Sequence, residues 1–490
     1  MKARTRTFFG ALMLPTPAHS RLPLPSHRPV RCNNPASISK RGGNCIARAG
    51  ALVSAVTLTA LLAAAHAAVP DIPTVEGPIS GPGPMYPGLR PEAPGTAPED
   101  FGYVTDEYFV AGTVTSGTAT PPYKTRILVR RPDPAERFSG MVVSEVMHSN
   151  GFAVTFEPAR KSVMLRGHVQ VEIAGQQSNV NTTLKPFNPD RYASLGIPAG
   201  ATVTSQIVAQ VGMLIKSNLS GGPLARYPVR RLFLLGTSQA SGVLRNYQAQ
   251  EHFQARMADG GAIVDGYLAT STLGSAKMMV VDVPTVHMPT MTEVNSGGSA
   301  SGAPFERPDS DDPANRYRLY EVAGMAHANS RDTPTYTPNP CTMPASNFPW
   351  GAMVAMGLSH LVEWADKGIV PPRAAPLEFD NDTANDGSRL ALDENGNVKG
   401  GVRNTYVDVP AARYGVPNAP GNVLVCAIAG TQFDFDEESL SALYKNRGNY
   451  LSQVNRRLME LIREGWMLPE YAEDIRSDAL GIPITPPGKR

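Results

Sequence analysis

The chain has 490 residues, with 45 Lys and Arg against 43 Asp and Glu, for a formal net charge of +2. That balance, with no basic run long enough to make a phosphate-binding stripe, argues against a nucleic-acid-binding protein. Apolar residues make up 42% of the sequence, enough to bury a large core, and its 45 Gly and 45 Pro suit a loop-rich enzyme better than a helical bundle.

Residues 1–67 read as an N-terminal extension and signal peptide. Arg41 and Arg48 precede the apolar run Ala51–Ala65, and Ala65-His66-Ala67 offers small residues for cleavage just before Ala68. The run is too short to span a bilayer comfortably, so no stable membrane span is expected after cleavage. A buried helix is the plainer alternative, but Pro70 and the Pro-rich sequence behind it continue no fold. The long stretch ahead of Arg41 points to a true start downstream of Met1. Export implies a periplasmic or secreted protein. Cys32 and Cys45 would leave with the leader, and Cys341 and Cys426 would remain as an even pair that an oxidising compartment can bond, two buried free thiols being the alternative. Neither lies in a paired Cys or His spacing, so no zinc or other metal site is expected.

Residues 68–100 are rich in Pro and Gly and read as an extended surface segment. From residue 101 to 490 a single domain is expected. Tyr108–Val114 and Thr125–Val129 are β-rich runs separated by the turn-like Thr118–Pro122, which predicts opening antiparallel strands. Met141–Val146 (MVVSEV) is an apolar strand ending in the polar loop His148–Gly151, and Val169–Ile173 is another. Ile207, Val208, Val211 and Ile215 have helical spacing within Thr202–Ser217. Further short strands are predicted at Gly261–Val264, Thr285–Thr292, Tyr317–Val322 and Val423–Ile428, and helices at Trp350–Asp366 and Glu437–Ile462. Short apolar strands alternating with helices imply a mostly parallel α/β sheet covered on both faces, with additional loop or cap elements.

Between the helical segment Thr202–Ser217 and Gly261 lies the segment that carries chemistry. In Arg231–Tyr247 (RLFLLGTSQASGVLRNY) an apolar strand runs into Gly236-Thr237-Ser238-Gln239-Ala240 and then into helix-compatible sequence, the order a nucleophile elbow needs. The small residues Gly236 and Ala240 allow a sharp turn, and the backbone N–H of Gln239 would head the helix as an oxyanion donor. The plainer reading is a Ser capping an ordinary helix start. A serine nucleophile needs a His as base and a carboxylate to orient it. His327 is the candidate base, because Tyr320–Ala326 presents it from a small-residue turn after a strand; His252, His287 and His360 lack that context. Glu293, after the strand Thr285–Thr292, is the favoured acid, giving the chain order Ser, acid, His of α/β hydrolases. Asp265 is the alternative acid. The second oxyanion donor is expected from the loop after Met141–Val146, at Met147, His148 or Ser149.

The chain resembles exported alpha/beta hydrolase domain proteins whose serine motif reads Gly-x-Ser-Gln-Ser. The resemblance rests on the elbow with Tyr247, on Glu107–Gly112, Thr125–Pro132, Phe138–Gly140 leading to Glu145, Asp265–Leu268, Gly400–Arg403 and Val407–Pro410. It implies an α/β-hydrolase fold and a Ser/His/acid mechanism, without a substrate. Ala240 stands where a Ser is usual, His148 where an Asn is common, and Thr292-Glu293-Val294-Asn295 where Glu-Thr-Asp is more frequent. Asn295 therefore stands at the expected carboxylate position, and Glu293 would have to substitute for it.

Together these readings predict an exported serine hydrolase, a carboxylic ester hydrolase working through an acyl-enzyme on Ser238 with a small-molecule ester as substrate and no cofactor. A catalytically silent binding protein of the same fold, and an amidase or peptidase with the same triad, are the alternatives. Nothing in the sequence decides oligomeric state.

Overall fold

The structure, a computed structural model, describes residues 67–90, 96–272, 277–295, 307–331, 340–380, 389–418 and 424–484. The signal-peptide reading thus falls outside the described residues, apart from Ala67. Contacts divide the chain into Met1–Ala63 and Ala64–Arg490, and every described residue belongs to the second unit.

Among the described residues nine strands form one sheet in the order β1-β2-β3-β5-β4-β6-β7-β8-β9. They are β1 (Thr74–Glu76), β2 (Tyr103–Thr113), β3 (Pro122–Pro132), β4 (Met141–Val146), β5 (Val169–Ile173), β6 (Arg231–Thr237), β7 (Gly266–Thr270), β8 (Thr285–Met288) and β9 (Tyr317–Leu319). From β5 across to β9 every pairing is parallel. Strands β1, β2 and β3 add an antiparallel flank. A parallel strand is buried on both faces and sends alternate residues to opposite sides. Phe233, Leu235 and Leu268 accordingly join the helices Phe156–Leu165 and Trp350–Lys367 in one core, whereas Leu232, Leu234, Tyr267 and Ala269 join Ala201–Lys216 and Gln239–Gln250 in the other. The result is an α/β-hydrolase sheet with helices on both faces.

Several elements depart from the sequence reading. The strand expected at Gly261–Val264 is a turn with one isolated bridge at Ala262, and β7 begins after Asp265 instead. Thr285–Thr292 divides into β8 and a short helical turn, Met291–Glu293. Only Tyr317–Leu319 of Tyr317–Val322 pairs as a strand. At the end of the predicted strand Val423–Ile428, Leu424–Ile428 is helical, since a short apolar run does not distinguish strand from helix by periodicity. Glu437–Ile462 is two helices, Glu437–Tyr444 and Arg447–Glu464, because Asp436 and Asn446 each cap a separate start and Lys445 between them has φ 62°. The segment expected to lie extended on the surface instead pairs β1 into the sheet and buries Leu89. Among the described residues no helix is long and apolar enough to cross a membrane.

Candidate active site

At the carboxyl end of central strand β6 the chain reverses through Ser238, whose φ of 56° and ψ of −122° are strained for a residue with a side chain. Local bonds hold it there: Ser238 N–H donates to Thr270 O at 3.1 Å, and Ser241 N–H to Ser238 O at 3.0 Å. Gly236 is required by close approach, since a Cβ on it would lie 2.6 Å from Ala240 O and 2.9 Å from Ser241 Cα. The same crowding suits Ala240, buried at the elbow, to its position.

His327 reaches the elbow from the loop after β9, where Gly324, with φ 89°, lets the chain turn closely under the Phe348 ring. Its backbone N–H donates to Thr292 Oγ1 at 3.1 Å. His327 Nε2 lies 3.0 Å from Ser238 Oγ, and His327 Nδ1 lies 2.6 Å from Glu293 Oε1. The other oxygen, Glu293 Oε2, accepts from Thr290 N–H and Thr290 Oγ1, each at 2.7 Å, so the carboxylate is fixed by its own helical turn. The carboxylate holds the imidazole proton on Nδ1, which leaves Nε2 an acceptor facing the serine hydroxyl.

Of the two carboxylates considered for that position, the structure brings only Glu293 to His327. Because β7 starts after Asp265 rather than ending before it, Asp265 sits at the amino edge of the sheet. There it accepts from Leu232 N–H at 2.7 Å and pairs with Lys216 at 2.7 Å. Asn295 accepts from Arg389 N–H at 2.8 Å. The three other histidines weighed as the base are tied elsewhere: His252 to Asp282 and Tyr267, His287 to Tyr317, and His360 to Tyr320. Burial pushes His287 and His360 down to about 4, so both are neutral core groups.

Gln239 begins the helix at an N-terminal position whose N–H has no acceptor within the helix. The backbone of His148, in contrast, is already used, since its N–H donates to Phe152 O at 3.0 Å and that of Met147 to Ile173 O at 2.9 Å. Ser149 N–H donates to Gln239 Oε1 at 3.3 Å, and Gln239 Nε2 to Gln176 Oε1 at 2.7 Å, tying the elbow to the loop after β4. Sequence reasoning did not assign Gln176, Thr292 or Glu145 a place here. Glu145, fully buried in β4, accepts from Thr155 N–H at 2.8 Å and Phe156 N–H at 3.0 Å, anchoring a helix start beside the site. Burial pushes its carboxyl up to about 8 against the pull of these bonds. The signal was present, since an ionisable residue inside the apolar run MVVSEV needs buried partners.

Ser238 and His327 open on a cavity of about 220 Å³, lined also by Arg90, His148, Asn150, Val154, Trp350, Val425 and Ile428. Val425 and Ile428 flank Cys426, which is joined to Cys341 by a disulfide, so a covalent tie fixes the chain that forms this wall. Among the described residues no group of acidic, His and Cys side chains could hold a metal ion.

The doubly covered parallel sheet with a strand-turn-helix elbow defines an α/β hydrolase. The chain belongs to the family described as alpha/beta hydrolase domain, whose profile matches residues 75–477. No curated protein matches it in sequence. Among solved structures it is similar to fungal esterases from Rhizomucor miehei, at 11% identity over 37% of this chain and 46% of that one, with a TM-score of 0.22. A thermostable esterase from Pseudomonas putida matches at 9% identity over 39% of this chain and 64% of its own, TM-score 0.24. A dienelactone hydrolase homologue from Klebsiella pneumoniae matches at 14% identity over 38% and 73%, TM-score 0.23. The chain thus spans less than half the length of the fungal esterases it matches.

Proposed function

We propose that this protein is an exported serine hydrolase that cleaves carboxylic esters through an acyl-enzyme on Ser238. The observation that carries the reading is the unbroken chain from Ser238 Oγ through both His327 nitrogens to Glu293, at 3.0 and 2.6 Å. As Ser238 Oγ bonds to the ester carbonyl carbon, its proton passes to His327 Nε2 and the carbonyl π pair moves onto oxygen, to which Gln239 N–H donates a hydrogen bond. Glu293 stabilises the imidazolium without taking its proton. Collapse of the tetrahedral intermediate breaks the bond to the alcohol oxygen, which leaves with the proton from His327. Water, deprotonated by the same imidazole, then attacks the acyl carbon; the bond from that carbon to Ser238 Oγ breaks, the carboxylic acid leaves, and His327 returns the proton to Ser238 Oγ.

Ser238→Ala should lower hydrolysis of short acyl esters by about 10⁵-fold or more and abolish fluorophosphonate labelling. Intact activity in that variant would overturn the mechanism. Export is supported by the leader sequence and by the disulfide between Cys341 and Cys426, which suits an oxidising compartment. N-terminal sequencing of the mature protein should read from Ala68. A mature chain still beginning upstream of Ala51 would refute the leader.

A further inference from the structure

We infer that the second donor to the developing oxyanion is the side chain of His148, acting through Nε2–H; the inference rests on Ser238 being the nucleophile. The loop after β4 faces the elbow, yet its backbone N–H groups are committed. Those of Met147, His148 and Gly151 go to main-chain carbonyls, that of Phe152 to Asn150 Oδ1 at 3.2 Å, and that of Ser149 to Gln239 Oε1. The remaining one, Asn150 N–H, donates to His148 Nδ1 at 3.1 Å.

That bond decides the tautomer. A backbone N–H only donates, so Nδ1 must accept, and the proton of the neutral ring sits on Nε2. The ring lines the same cavity as Ser238 and His327. Burial, with the Arg90 guanidinium nearby, holds it below the ordinary histidine range, so it stays neutral beside a partner that becomes charged during turnover. Two imidazoles thus enter one cavity in opposite tautomers. His327, with its Nδ1 proton held by Glu293, offers an acceptor at Nε2; His148, with Nδ1 occupied by Asn150, offers a donor. The first takes the serine proton, and the second is unable to compete for it and is free to bind the oxyanion.

Second-order rate constants for fluorophosphonate labelling test this without knowledge of the substrate, because the phosphoryl oxygen of the adduct takes the oxyanion position. His148→Asn keeps an acceptor for Asn150 N–H but is too short to replace Nε2. His148→Gln extends an amide N–H to about the reach of Nε2. With thermal midpoints measured alongside to establish that each variant is folded, H148N should label about 10²–10³-fold more slowly than the native protein and H148Q within about tenfold of it. H148N labelling like the native protein, or both variants slowed equally, would overturn the donor role and leave His148 a loop-shaping residue. Native protein that fails to label at Ser238 would instead sink the hydrolase reading itself.

Discussion

At its antiparallel flank the sheet buries Glu107, Arg126, Arg130, Glu172 and Arg191, and at the carboxyl edge of its parallel half it buries Glu145, Glu293 and most of the His327 side chain near the elbow. In the flank the charges close on one another. Arg126 pairs with Glu172 and lies 3.6 Å from Glu107, and Arg191 Nε lies 2.6 Å from Glu107. Their spare donors reach across to Tyr86 O, Pro87 O, Ile79 O and Gly83 O, clamping the segment that enters the sheet. At the parallel edge the chain of polar groups instead ends on Ser238 Oγ, which opens to a cavity. A closed network spends its interactions on itself and holds structure, whereas one that terminates at a hydroxyl in a cleft leaves a reactive atom available to a ligand.

Substitutions on each side test that contrast. The larger effect is expected from Glu293→Gln, which retains the shape of the site but removes the charge that fixes the His327 tautomer. Hydrolysis and labelling rates should fall about 10⁴-fold with the unfolding midpoint little changed. A fall of only a few fold would mean that Glu293 works structurally, as the flank residues do. Arg126→Met should act in the opposite sense. It leaves Glu107 and Glu172 with less compensation in the interior, and denaturant unfolding should show a loss of about 3–5 kcal/mol. Adding Glu172→Gln should recover part of that loss, because the two positions share one network. The labelling rate per folded molecule should remain within about twofold of native, since the flank touches no reacting atom. A large drop in that rate would show that the two regions are coupled.

Sequence alone determined the features that depend on neighbours along the chain. The apolar runs of β4, β5 and β6, the helices Ala201–Lys216 and Trp350–Lys367, and the turn at Ser238 follow from local hydrophobic patterning and from the small residues Gly236 and Ala240. The candidates Ser238, Glu293 and His327 were legible because each follows a strand and lands in a turn. Tertiary structure decided what depends on which end of a strand a residue occupies and on which partners reach it. Moving the start of β7 past Asp265 carried that carboxylate to the amino edge, onto Leu232 N–H and Lys216, and left Glu293, of the two candidates, beside His327. The loop after β4 was legible as the partner of the elbow, but not that its backbone donors are consumed by Ile173 O, Phe152 O and Gln239, because those acceptors come together only on folding. The same holds for the buried charges of β2, β3 and β5. Their pattern in sequence is a series of interrupted apolar runs, and only the packed sheet supplies the partners that make burying them tolerable.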